Sequence, residues 1–193
     1  NDNDNPGDPG EDTPTPIDLP EAAELGLAKH VLDGPTPIMG QPGVYEAEYE
    51  LIVQNTGNVV LNELQIRDNL NDTFTVLGPQ GQTPEFLTLE ALTVEPNLGA
   101  ANPAISLPMS AADLAALNWE FLDGSETMVP GGEGRLQFTV RWQTDDFVGP
   151  YNNTAEVVGC PPAGVTVAIE DNPANASDCG ANTVSDLSND GMD

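Results

Sequence analysis

Tyr45-Glu46-Ala47-Glu48-Tyr49-Glu50-Leu51-Ile52-Val53-Gln54-Asn55-Thr56-Gly57-Asn58 decides how this chain folds. Tyr45, Ala47, Tyr49, Leu51 and Val53 alternate with Glu46, Glu48, Glu50 and Gln54, and Ile52 is the one break. Successive side chains of a strand point to opposite faces, so this period of two puts one face in a core and the other in water. Asn55-Thr56-Gly57-Asn58 is turn chemistry and ends the strand.

The same alternation recurs on both sides. Leu25, Leu27, Lys29 and Val31 share one face of a segment that starts near residue 25. Leu64 and Ile66 alternate with Glu63, Gln65 and Arg67; Leu136, Phe138, Val140 and Trp142 alternate with Arg135, Gln137, Thr139 and Arg141. Further strands are expected at 74–77, 86–94, 119–122, 154–158 and 165–169. Ser110 is placed to cap a short helix over 111–117, with Asp113 three residues on; an irregular crossing is the other reading. Strands separated by Gly, Pro and Asn predict an all-β, antiparallel β-sandwich.

Composition narrows the role. The 193 residues carry 32 Asp+Glu against 4 Lys+Arg, a net charge of -28. Such a surface repels phosphate backbones, which argues against nucleic acid as a partner. Salt adaptation alone is one reading of that charge. No apolar run is long enough to span a bilayer, so membrane insertion is not expected. Cys160 and Cys179 either pair, closing a loop of roughly 20 residues worth about 3 kcal/mol, or remain free thiols in a reducing compartment. The remaining features look extracellular and favour the disulfide. Enzyme signatures are missing: His30 is the lone histidine, and no nucleophile elbow, phosphate loop or Cys/His zinc spacing occurs. Glu46, Glu48 and Glu50 read as the wet face of a strand rather than as glycosidase carboxylates.

The organisation expected is an acidic Pro/Gly-rich linker over 1–22, a sandwich over 23–158, a Cys-flanked extension over 159–183 and an acidic linker over 184–193. Placed tail to head, the two acidic ends form one continuous segment, which suggests one period of a longer array. Asp186-Leu187-Ser188-Asn189-Asp190-Gly191 spells D-x-S-x-D-G, the first half of a calcium loop, in which alternate oxygens surround a hard cation. Asp186, Ser188, Asp190 and Asp193, with Asn1, Asp2, Asp4 and Asp8 of a following copy, are the expected calcium ligands. Diffuse counterions around a solvated linker are the alternative.

Four landmarks in order resemble one family: Leu27-Ala28-Lys29-His30-Val31, Glu50 to Asn58, Leu64-Gln65-Ile66-Arg67-Asp68-Asn69-Leu70, and Tyr151-Asn152-Asn153-Thr154-Ala155. Val129-Pro130-Gly131-Gly132-Glu133 lies between the last two. The order is similar to the conserved-repeat, immunoglobulin-like domains found in tandem on bacterial and archaeal surface proteins, a family named only as a domain of unknown function. The resemblance covers residues 24–158 and implies an immunoglobulin-like sandwich in an extracellular structural or adhesive role.

Lys29 is the only lysine, and it sits on a face that should be buried. An uncompensated buried ammonium is costly, and burial pushes a lysine towards a neutral, nucleophilic amine. Lys, Asp and Asn on strands resemble the parts of an intramolecular isopeptide bond in the self-crosslinking domains of bacterial adhesins and pili. By the family-like order Asp68 is the acid and Asn153 the acceptor, with Asn152 as the fallback. A plain Lys29–Asp68 ion pair, or a lysine snorkelling to solvent, is the other reading.

These features lead to the expectation of a non-enzymatic structural subunit of an extracellular fibre, filament or adhesin. Neighbouring copies would meet head to tail, with calcium stiffening the joints. The alternative is an adhesive module that holds a glycan or surface receptor in the loops at 78–85 and 96–110, where Phe86 is the one aromatic residue nearby.

Overall fold

The computed structural model describes residues 20–147, 149–167, 179 and 183–188. In chain order the elements are β1 (Ala22–Ala23), β2 (Leu25–Pro37), β3 (Val44–Asn55), β4 (Asn62–Arg67), α1 (Leu70–Phe74), β5 (Glu85–Val94), β6 (Met109–Ser110), α2 (Ala111–Ala116), β7 (Glu133–Gln143), β8 (Glu156–Cys160), β9 (Thr166–Val167) and β10 (Val184–Leu187). One antiparallel sheet runs β2-β3-β7-β5-β6 and a second runs β10-β8-β4, while β1 and β9 form a small parallel pair. The chain crosses from the first sheet to the second after β3, returns before β5 and crosses again after β7. These crossings make an all-β antiparallel sandwich, as the alternation predicts.

The period of two explains the core. Leu27, Leu51, Val53, Leu136, Phe138 and Val140 of the larger sheet share one buried cluster with Leu64, Ile66, Val157 and Val184 of the smaller. Burying each such side chain contributes about 1.5–3 kcal/mol. At one end α1 inserts Phe74, whose ring stacks 4.7 Å from Trp142 and 6.2 Å from Phe86. α2 begins at Ser110, whose side chain accepts from the Asp113 amide, so the capped helix is present.

Several elements differ from the sequence reading. Residues 74–77 are the end of α1 and a turn rather than a strand, because Leu70, Thr73 and Phe74 are buried with helical spacing. The segment 119–122 contributes only isolated bridges from Glu120 and Leu122. Val31 is 49% exposed: register shifts in β2 after Val31 and again after Asp33 break the buried face there. Residues 184–187, read above as the start of a linker, pair with β8, and Val184 is buried. Phe86 is buried too and offers no surface aromatic to the loop-binding reading.

Asn55 organises the turn after β3. Its amide donates to the carbonyls of Val59 and Met128, and its carbonyl accepts from the Gly57 amide. Gly57 lies so close to the strand before it that a Cβ would come 2.5 Å from the Ala22 oxygen and 2.7 Å from the Glu24 nitrogen. Gly57→Ala should therefore cost roughly 1–3 kcal/mol, the usual cost of overpacking. The measurement is the urea midpoint, and an unchanged midpoint would contradict the contact. The Cys160–Cys179 disulfide is formed, with Cα atoms 5.4 Å apart and a sequence separation of 19. Reducing it should cost about 3 kcal/mol by loop entropy, read as a lower midpoint in reductant.

Candidate functional site

Three polar groups, one on a strand and two just beyond strand ends, meet between the sheets, and in each case alternation carries them inward. Leu25, Leu27 and then Lys29 face the core from β2. Leu64 and Ile66 do so from β4, and Asp68, the next residue in phase, follows them just past the strand. Val157 and Ala155 are buried at the start of β8, and Asn153 is the next residue in phase before them. The pattern that builds the core thus delivers Lys29, Asp68 and Asn153 into it.

The Lys29 and Asp68 side chains are 3% and 0% exposed. Lys29 Nζ donates to Asp68 Oδ2 in a short contact. The same oxygen accepts from Asn153 Nδ2 at 3.4 Å. Lysine amine and asparagine amide therefore share one carboxylate oxygen and must be neighbours. Asn153 Oδ1 in turn accepts from the Thr73 hydroxyl of α1 at 2.9 Å. Asp68 Oδ1 is buried without a hydrogen-bond partner among the described residues. Aromatic rings form the walls: Lys29 Nζ is 5.1 Å from the Tyr49 ring centroid and 5.5 Å from that of Phe138, and those rings stack 5.4 Å apart.

Burial controls the protonation of this group. It lowers the Lys29 pKa, outweighing the opposing attraction of Asp68. It raises that of Asp68, outweighing Lys29 and the Asn153 hydrogen bond. Both directions favour the uncharged forms, a free amine beside a carboxylic acid. Among the described residues, then, the structure brings Lys29, Asp68 and Asn153 together. Thr73, Tyr49 and Phe138 complete the group and were missed as site residues, although alternation had already placed Tyr49 and Phe138 on buried faces.

Of the expected calcium ligands, Asp186 and Ser188 are among the described residues. Asn1, Asp2, Asp4, Asp8, Asp190 and Asp193 fall outside the described residues. Asp186 is in β10, where its Oδ2 accepts from the Leu27 amide at 2.7 Å. Ser188 is buried and exchanges hydrogen bonds with the backbone of Ala155. Among the described residues no group of acidic, His or Cys side chains is arranged to hold a metal. Two glutamates of β3 are tied to β7: Glu46 accepts from Arg141, and Glu50 from Arg135 and Gln137. His30 lies 3.4 Å from Glu50, with nearly half its side chain exposed.

No protein-family model matches the chain, and no curated protein matches it. Among solved structures it is similar to the full-length major pilin SpaD from Corynebacterium diphtheriae, with 13% identity and a TM-score of 0.41. The match covers 86% of this chain and 34% of the pilin, so the chain spans about a third of that protein's length.

Tyr49 gives an independent reading of this interior. Burial first, and the charge of Asp68 second, push its phenol from 10 up to about 12, against a smaller opposite effect of the Asn153 hydrogen bond. A group whose folded pKa is raised contributes stability that is complete below its unfolded pKa and lost as pH rises through the folded one. The urea midpoint should therefore fall between pH 10 and about 12, and Tyr49→Phe should flatten that fall. An equally steep fall in the phenylalanine variant would refute the assignment.

Proposed function

We propose that this chain is a self-crosslinking structural module of an extracellular surface fibre, in which Lys29 and Asn153 join through an isopeptide bond. The observation that carries this reading is the sealed Lys29–Asp68–Asn153 cluster, with amine and carboxamide on the same Asp68 oxygen. The uncharged lysine attacks Cγ of Asn153. A bond forms between Nζ and Cγ, and the Cγ–Nδ2 bond breaks. Asp68 passes a proton to the departing nitrogen and recovers one from the attacking amine, so ammonia leaves and the acid is regenerated. Amine plus carboxamide gives substituted amide plus ammonia, with no other reactant. Holding both groups on one carboxylate oxygen replaces a bimolecular encounter, and the apolar walls exclude the water that would compete.

The bond would run from β2 in one sheet to the residues that lead into β8 in the other. It would staple the sandwich across its core. The Cys160–Cys179 disulfide supports an oxidising, extracellular setting. No helix among the described residues is long and apolar enough to cross a membrane. An assembly built from neighbouring copies of such a module, end to end, suits this architecture.

Mass spectrometry of the reduced, denatured protein tests the crosslink. The expected result is a chain lighter than its sequence by one ammonia, with Lys29 and Asn153 in one branched peptide after digestion. Asn153→Ala, which leaves the Lys29–Asp68 pair in place, and Asp68→Ala should both keep their full mass. A wild-type chain at full mass would reduce the cluster to an ion pair and remove the basis for this function.

A further inference from the structure

We infer that Thr73 is a further catalytic residue of the crosslinking reaction, supplying the hydrogen bond that holds the developing negative charge on the Asn153 carbonyl oxygen. The inference rests on the crosslink proposed above. Attack on a carboxamide moves charge onto its oxygen, and amides are poor electrophiles unless a donor waits there. Asp68 faces the other end of the group, with its oxygen on the amide nitrogen. The carbonyl end needs its own donor, and the Thr73 hydroxyl is already 2.9 Å from Oδ1, inside the range that suits an oxyanion.

The carboxamide lies with its two ends on different partners. Asp68 Oδ2 accepts from Nδ2, and the Thr73 hydroxyl donates to Oδ1. The leaving nitrogen consequently faces the acid, and the oxygen faces the hydroxyl. Thr73 is buried, so water does not readily replace it as donor. Its backbone is set by α1, whose neighbouring Leu70 and Phe74 are both buried in the core. The hydroxyl thus stands in place before reaction begins.

The experiment follows crosslinking in time. The chain is made in a cell-free reaction, aliquots are quenched in acid, and intact mass after reduction gives the fraction that has lost ammonia. Thr73→Val keeps the shape and removes the donor; it should slow the loss on the order of a hundredfold. Thr73→Ser keeps the donor and should stay close to wild type. Near-UV circular dichroism checks folding, and Thr73→Ala stands in with the same expectation should the valine chain not fold. Folded Thr73→Val at the wild-type rate, or Thr73→Ser as slow as valine, overturns the role of Thr73 while the crosslink stands. A wild-type chain that never loses ammonia overturns both.

Discussion

A lysine and an aspartate sealed between two sheets set the terms for the interior. Removing two such charges from water costs several kcal/mol each, and their attraction seldom repays it in full. The core offers two compensations. Aromatic faces from Tyr49 and Phe138 border the ammonium, and burial favours the uncharged forms of both partners. A fold that needed only stability would be served as well by two apolar side chains of similar volume. A Lys29–Asn153 amide would remove the ammonium from this interior and leave Asp68 as the uncharged acid that its burial favours.

The other cations, carried on β4 and β7, are used with equal economy. Arg67 pairs with Glu120, Arg135 with Glu50 and Glu133, and Arg141 with Glu46 and Glu90. Several of these contacts cross between adjacent strands of the larger sheet, where Glu46 is in register with Arg141. With 32 acidic residues and 4 basic ones, each arginine stands where it relieves repulsion among carboxylates. Most of these pairs are partly buried, and the Glu50 side chain is only 8% exposed. Their placement keeps the acidic strand faces compatible with sheet pairing.

What the sequence disclosed follows from what alternation can encode. β3 and β7 were legible because long period-two runs admit no other reading; in the six-residue β4 the pattern blurs, since Gln65 is buried with Leu64 and Ile66. The site was legible for the same reason: Lys29, Asp68 and Asn153 are polar residues in phase with apolar ones. Thr73 was not, because it faces the site from a five-residue helix whose apolar residues mimic a short strand. The exposure of Val31 was hidden as well, since a bulge leaves no trace in the hydrophobic pattern. Val184-Ser185-Asp186-Leu187 reads as linker chemistry, yet it pairs with β8 because the neighbouring strand offers a free ladder. Local composition cannot report such a partner.

The positions of two bonds along the chain decide how this module would answer a pull. A link between Lys29 and Asn153 makes residues 30–152 a closed loop, and the Cys160–Cys179 disulfide closes a second. Tension entering at β2 would pass through the side-chain amide to the residues before β8, along β8, across the disulfide and out through β10. Nearly all of the sandwich would lie off that route. The larger sheet could loosen without lengthening the molecule, and extension would be limited to the short stretches outside the two loops.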